Sequence, residues 1–181
     1  PDWVNMCNSI AWEYPEKMHA DRFVGDLSVG WIKRSASDSP FFLEIGFPGP
    51  HEPYDPPQRH LDLYKDIDVP VPIQDDEELD RKPPQQRRFQ ENFESRHDAD
   101  SMIKLRGRTP EEIARMRKHY FANVTLIDEQ IGKIIDELDT HGFLDNTVVI
   151  VTSDHGDNLG EHTLPYKWFM YDSCVRVPLI V

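Results

Sequence analysis

Asp154 and His155 stand side by side in Ser153-Asp154-His155-Gly156-Asp157, directly after the β-branched run Thr147-Val148-Val149-Ile150-Val151-Thr152. A carboxylate oxygen beside an imidazole nitrogen suits a divalent cation: Mg, Mn or Zn, or Ca where more oxygen ligands are present. The turn leaving a strand breaks its alternation of side-chain direction, so both neighbours can aim at one ion. Two ligands do not complete a site. In the plainer reading Asp154 caps the next turn and His155 bonds locally, and so short a motif leaves both readings open. A second histidine, His51, follows the apolar run Phe41-Phe42-Leu43-Glu44-Ile45-Gly46-Phe47 within Pro50-His51-Glu52-Pro53-Tyr54. Between prolines it can equally be a turn residue.

The elements around these residues follow from apolar spacing. Met18, Phe23, Val24, Leu27, Trp31 and Ile32 recur at roughly helical intervals and predict a helix from about Ala20 to Arg34. Phe41 to Phe47, bounded by proline on both sides, reads as a buried strand. Thr109-Pro110-Glu111-Glu112 supplies an N-cap, a proline at the first helical position and a capping-box glutamate. The stripe Ile113, Met116, Tyr120, Val124, Ile127, Ile131, Ile134, Ile135 and Leu138 then predicts one long helix, closed at His141-Gly142. Thr147 to Thr152 reads as a central strand, and Val177 to Val181 as a second short one. A strand, a long crossover containing a helix and another strand predict an α/β fold, a mostly parallel sheet flanked by helices. In such sheets ligands gather at the carboxyl ends of the strands, where both histidines fall.

Between these elements residues 56–108 are rich in proline and charge and poor in period. They are expected to form an insertion or loop region, with short helical turns around Pro84 to Phe93. Tyr54, Tyr64, Phe89 and Phe93 are expected to pack this region rather than line a pocket. Asn123-Val124-Thr125 matches a glycosylation sequon but falls mid-helix, which argues for coincidence.

Bulk properties exclude several partners. The 181 residues carry 20 Lys+Arg against 33 Asp+Glu, a formal charge of −13, and a field of that sign repels a phosphate backbone. Nucleic acid is therefore not an expected partner. Membrane insertion is not expected either, since the longest apolar runs are strand-sized. Cys7 and Cys174 are too few for a disulfide framework and read as isolated thiols.

Taken together, several segments resemble the sulfatase family of the alkaline phosphatase superfamily, which also holds phosphonate monoester hydrolases. They are Pro40-Phe41-Phe42-Leu43, Pro50-His51-Glu52-Pro53-Tyr54, the helix with Asp128 and Ile131-Gly132, and Thr152-Ser153-Asp154-His155-Gly156. Leu159-Gly160-Glu161-His162, Lys167 and Arg176-Val177-Pro178-Leu179-Ile180 complete the series. They run in family order from about residue 20 to the last residue, so the resemblance implies that residues 1–181 are part of a sulfatase-type catalytic domain, an incomplete alkaline phosphatase-like fold.

The resemblance also implies roles. Asp154 and His155 would be two ligands of a divalent metal, calcium by family, with Mg, Mn or Zn as alternatives. Lys167, thirteen positions after Asp154, would contact the sulfate or phosphate oxygens as a catalytic group. His51 would bind the transferring group or the leaving-group oxygen, and His162 would bind substrate or merely brace its loop. The expected partner is a small anionic ester. In the family the nucleophile is a formylglycine made from Cys-x-Pro-x-Arg or Ser-x-Pro-x-Arg. Cys7-Asn8-Ser9-Ile10-Ala11 has neither the proline nor the arginine, and Trp3 to Tyr14 holds no pair of adjacent aspartates. Both features are therefore expected upstream, and the 181 residues alone are expected to be inactive. The leading expectation is sulfate-ester hydrolysis by the parent protein. Phosphonate monoester or phosphodiester hydrolysis is the alternative within the enzymes, and a non-catalytic binding relative the alternative outside them.

Overall fold

A computed structural model describes residues 6–35, 39–73, 75, 77–95 and 103–181. Two compact units divide the chain. One comprises Pro1–Ser9, Asp68–Arg117 and Ile150–Val181; the other comprises Ile10–Ile67 and Lys118–Val149.

The second unit is built on two helices. Helix α1 (Ala20–Arg34) has the predicted bounds, and of its apolar positions Ile32 is buried and Val24 and Trp31 half-buried. Phe23 and Leu27 are more than half exposed, and the buried positions are Asp21, Gly25, Ser28 and Ile32. The reason is a close approach to the long helix. A Cβ added at Gly25 would lie 2.8 Å from the side chain of Gln130, which is itself fully buried and donates to the Leu126 carbonyl oxygen at 3.3 Å. Small side chains on one helix face let two backbones come together, and that gain in packing outweighs the loose apolar stripe on the other side.

Three further helices precede or form the long one: α2 (Gln58–Leu61), α3 (Pro84–Ser95) and α4 (Pro110–Thr140). Helix α3 covers the turns expected at Pro84 to Phe93. The N-terminus of α4 is the capping box read from sequence. The Thr109 amide donates to Glu112 Oε2 at 2.8 Å, and the Glu112 amide donates to Thr109 Oγ1 at 3.3 Å. Its C-terminus is a Schellman turn. The Gly142 amide donates to the Asp139 oxygen and the Phe143 amide to the Leu138 oxygen, each at 2.8 Å, with Gly142 at φ +68°. Asn123 is buried on this helix (1% exposed), so its sequon offers no acceptor in the folded chain.

Ile32, Ile134 and Leu138 form the apolar centre of the second unit, with Phe41, Leu43, Ile45, Phe47 and Val149 packed on it. Residues 41–47 and 147–152 alternate between half-buried and exposed with a period of two, as strands with one covered face do. The predicted parallel sheet is nevertheless not formed among the described residues. The two paired strands, β1 (Val151–Thr152) and β2 (Leu179–Ile180) of the first unit, run antiparallel, with Val151 opposite Ile180 and Thr152 opposite Leu179. Alternation fixes which face of a strand is covered but not which strand lies beside it. The outward positions Phe42, Val148, Ile150, Leu179 and Ile180 stay largely exposed. Among the described residues no helix is long and apolar enough to cross a membrane.

Below the core of the second unit lies an ionic network centred on Glu129. Arg59, Lys133 and His60 all reach its carboxylate, His60 Nε2 at 3.1 Å. Burial pushes Glu129 upward, but hydrogen bonds from Lys133, Arg59 and His60 outweigh it and hold the carboxyl at about 2. A depressed carboxyl stabilises the fold above its unfolded value, near 4.3, and that contribution is lost as pH falls toward 2. After allowance for solvent screening, Glu129→Gln is expected to remove about 1 kcal/mol at pH 7 and nothing at pH 2. Urea unfolding of both forms at the two pH values measures the difference. An equal loss at both values would place the cost in packing instead.

Candidate active site

Asp154, His155, His162 and Lys167 all fall in the first unit. Asp154 is largely exposed and its Oδ1 accepts the His155 amide at 2.9 Å. His155 Nδ1 lies 2.7 Å from the Gly156 carbonyl oxygen, which can only accept, so the ring proton sits on Nδ1. The lone pair is then on Nε2, 3.6 Å from Asp154 Oδ2. A carboxylate oxygen and an unprotonated imidazole nitrogen are the donor types that a divalent cation takes. The local bonds of the plainer reading are present too. Among the described residues no group of three His, Cys, Asp or Glu side chains could hold a metal.

The backbone under this pair is held tightly. The Gly156 amide donates to the Cys174 carbonyl oxygen at 2.8 Å, and a Cβ on Gly156 would overlap the carbonyl oxygen of Ser173. Helix α5 (Asp172–Val175), a single turn, is therefore packed directly against the loop. Asn158, 1% exposed, ties the same loop to the next segment. Its amide and its Nδ2 donate to the Tyr166 oxygen at 2.9 and 2.7 Å, and its Oδ1 accepts from Ser173 Oγ at 2.6 Å. Lys167 follows Tyr166 and is half-buried. Its charge reaches Asp154. Burial raises the Asp154 carboxyl, but the His155 amide and ring, its own amide and, least of these, the Lys167 charge together hold it below the ordinary carboxylate range.

Aromatic packing fixes the far side of the Lys167 segment. Phe89 on α3 meets Trp168 and Phe169 with ring centroids 5.9 and 5.1 Å away, and Phe93 meets the buried Tyr166 at 5.7 Å. Tyr54 is fully buried in the other unit, 5.7 Å from the Tyr120 ring, and Tyr64 bonds Thr125 Oγ1 at 2.7 Å. These aromatics pack, as expected.

His162 is turned into residues 68–108. Its Nδ1 is 2.8 Å from Glu78, its ring stacks on Tyr171 at 3.7 Å, and its amide donates to the Ile73 oxygen at 2.7 Å. Burial disfavours the charge on Glu78, yet hydrogen bonds from His162, Tyr171 and Lys82 hold its carboxyl below the ordinary range. Bracing is what the geometry displays for His162. Glu161, read as a loop carboxylate, pairs with Arg117 at 3.1 Å.

His51 belongs to the other unit. It is 48% exposed, and its Nδ1 lies 3.1 Å from Glu52 Oε2. Cys7 and Cys174 are buried free thiols, each pushed up by burial, and neither is poised as a nucleophile. Sequence reasoning assigned nothing to Asn158, Ser173 or Tyr171, and it read Glu78 as part of a solvated acidic run, whereas its side chain is 12% exposed and bonded to His162 and Tyr171. Polar residues of that kind carry no periodic signal, and only the chain's path shows that they clasp the loop.

The sulfatase family profile matches residues 1–181, the whole chain. The chain belongs to the sulfatase family. Within it, this sulfatase chain is 33% identical over 179 residues to an arylsulfatase of Clostridium perfringens (strain 13 / Type A), covering 97% of this chain and 35% of that protein. It is 33% identical over 167 residues to a choline-sulfatase of Rhizobium meliloti (strain 1021), covering 88% of this chain and 30% of that one. The chain thus spans about a third of the length of the relatives it matches. In fold it resembles the phosphonate monoester hydrolase of Agrobacterium radiobacter, with a TM-score of 0.80 over 93% of this chain and 34% of that one, at 24% identity. The chain therefore shares the fold of the corresponding part of that hydrolase.

Proposed function

We propose that the protein carrying this chain hydrolyses sulfate esters, small anionic substrates, with the help of a divalent cation. The observation that supports it is the convergence of Asp154 Oδ2 and His155 Nε2 at 3.6 Å with the Lys167 charge beside them. Sulfatase relatives at 33% identity point to the same chemistry.

Asp154 and His155 would hold the cation, calcium by family resemblance, which when bound neutralises charge on the sulfuryl oxygens. The Nδ1–H bond to Gly156 keeps the Nε2 lone pair of His155 aimed at it. Lys167 donates from its ammonium to the oxygens that gain charge as the ester bond breaks. A lysine serves here because it adds a compact positive charge to a chain whose net charge of −13 opposes an anionic substrate. His51 binds the transferring group or the leaving-group oxygen. The attacking group is not among these residues: the sequence contains neither Cys-x-Pro-x-Arg nor Ser-x-Pro-x-Arg. A formylglycine supplied from outside residues 1–181 fits that role, and these residues by themselves are expected to turn over no ester.

The test is a comparison of 4-nitrophenyl sulfate with 4-nitrophenyl phenylphosphonate as substrates for the full protein, before and after EDTA. The expected result is preference for the sulfate and loss of rate with chelator, restored by Ca. Preference for the phosphonate would move the protein to the phosphonate monoester hydrolases. No hydrolysis of either, with metal present, would sink the catalytic reading in favour of a binding relative.

A further inference from the structure

Both arms of the His51 loop meet buried polar groups at the start of α1, one through a hydrogen bond and the other at ion-pair range. On one side the Gly49 amide donates to Asp21 Oδ1 at 2.8 Å, and a Cβ on Gly49 would overlap Asp21 Oδ2. On the other, His19 Nε2 lies 3.5 Å from Asp55 Oδ1. His19 is the N-cap of α1, and its Nδ1 accepts the Asp21 amide at 3.3 Å. A neutral His19 therefore carries its proton on Nε2, toward Asp55. Asp21 and His19 are 2% and 3% exposed, and His19 Nε2 forms no hydrogen bond among the described residues, so its approach to Asp55 is a contact at ion-pair range and not a hydrogen bond.

Such burial is costly for groups whose only structural task is a helix cap. A carboxylate taken out of water is disfavoured, and burial does push the Asp21 carboxyl up, against the opposing pull of the Gly49 amide and His19. A plain N-cap sits at the surface and binds its own helix. Here the first-turn aspartate reaches 28 positions along the chain to Gly49, and the cap residue, besides binding its own helix, lies near Asp55. Between those two anchors the chain is held again at Tyr54, whose carbonyl oxygen accepts the Ile10 amide at 3.2 Å. The tip stays open, with His51 at 48% exposure. A loop gripped at both ends and bare at its tip presents a side chain in a fixed direction at little cost in mobility.

We infer that Asp21 and His19 are positioning residues that fix the direction in which the 49–55 loop presents His51. This rests on the reading of His51 as an ester-binding group. The Asp21 bond to Gly49 and the Ile10 bond to Tyr54 leave only the four residues between them, Pro50 to Pro53, free to adjust, and a small rotation of either arm displaces the imidazole by an ångström or more. Displacements of that size are enough to cost a reaction about a hundredfold.

The experiment combines kinetics with a readout that needs no turnover. In the full protein, Asp21→Ala removes the acceptor for Gly49, whereas Asp21→Asn keeps an oxygen there. The expected result is that Asp21→Ala speeds exchange of the Gly49 amide by about tenfold or more, shifts or broadens the His51 ring resonances and leaves those of His141 in place. It should also lower kcat/KM for 4-nitrophenyl sulfate by about 10- to 100-fold, chiefly through kcat, with Asp21→Asn recovering most of both effects. If Asp21→Ala folds poorly, Gly49→Ala, whose change lies on the loop, should give the same signature. Faster Gly49 exchange with unchanged His51 resonances and unchanged kcat/KM would overturn the inference. Failure of the parent protein to hydrolyse any ester would count against the hydrolase reading alone, since the His51 resonances still decide whether the clamp orients that ring.

Discussion

Gly156→Ala is expected to reduce sulfate-ester hydrolysis by about a hundredfold or more while the rest of the chain stays folded. The added methyl would occupy the position of the Ser173 carbonyl oxygen, a backbone atom that no rotamer change can move. Relief requires the 153–157 loop to separate from α5, which breaks the Gly156 amide bond to Cys174. The same shift takes away the Gly156 oxygen that holds the His155 Nδ1 proton, so both the tautomer and the aim of Nε2 are lost. Overpacking at such a point costs about 1–3 kcal/mol of stability. The measurement is kcat/KM together with thermal unfolding, and with the affinity for Ca by calorimetry. Wild-type metal affinity in a folded Gly156→Ala protein would show that the Asp154–His155 geometry does not depend on this contact.

Lys167→Ala is expected to lower kcat by about 10²–10³-fold with little change in thermal stability. The two outcomes separate because of what the side chain touches. Its neighbours Tyr166 and Phe169 are anchored by Asn158, Phe93 and Phe89, so the segment keeps its course without the lysine. The ammonium forms no ion pair among the described residues, and its removal leaves no buried partner unsatisfied. What disappears is a positive charge beside Asp154, where an anionic ester would gain charge on its oxygens. Lys167→Arg keeps the charge but replaces a compact ammonium with a wider planar fork, so partial activity is expected from it. If Lys167→Ala kept full kcat and raised only KM, the lysine would be an attraction for substrate and not a stabiliser of the reaction.

These two residues differ in how they could be found. Lys167 follows from family order, because its distance from Asp154 is a property of the string of letters. Gly156 could be noted as part of Asp-His-Gly, but the reason it must be glycine is a carbonyl oxygen belonging to a turn sixteen or more residues later. The same division runs through the fold. Caps and turns are local, so Thr109 with Glu112 and the Gly142 turn could be read in advance to the residue. Helix α1 had readable bounds, yet its close approach to α4 at Gly25 could not be read, because a small residue leaves no hydrophobic mark.

By itself, then, the sequence determined the family and helices α1 and α4 with their ends, and it displays the adjacent Asp154 and His155 and the lysine downstream whose roles are proposed above. All of these depend on neighbours within a few residues or on the order of motifs. Tertiary structure decided the rest: the antiparallel pairing of Val151–Thr152 with Leu179–Ile180, the bracing of His162 by Glu78 and Tyr171, the Asn158 clasp and the Asp21 anchor on Gly49. Each of these is a bond between residues far apart in the chain. A hydrogen bond is set by distance and angle in space, and no periodicity along the chain encodes which distant partner will come within reach.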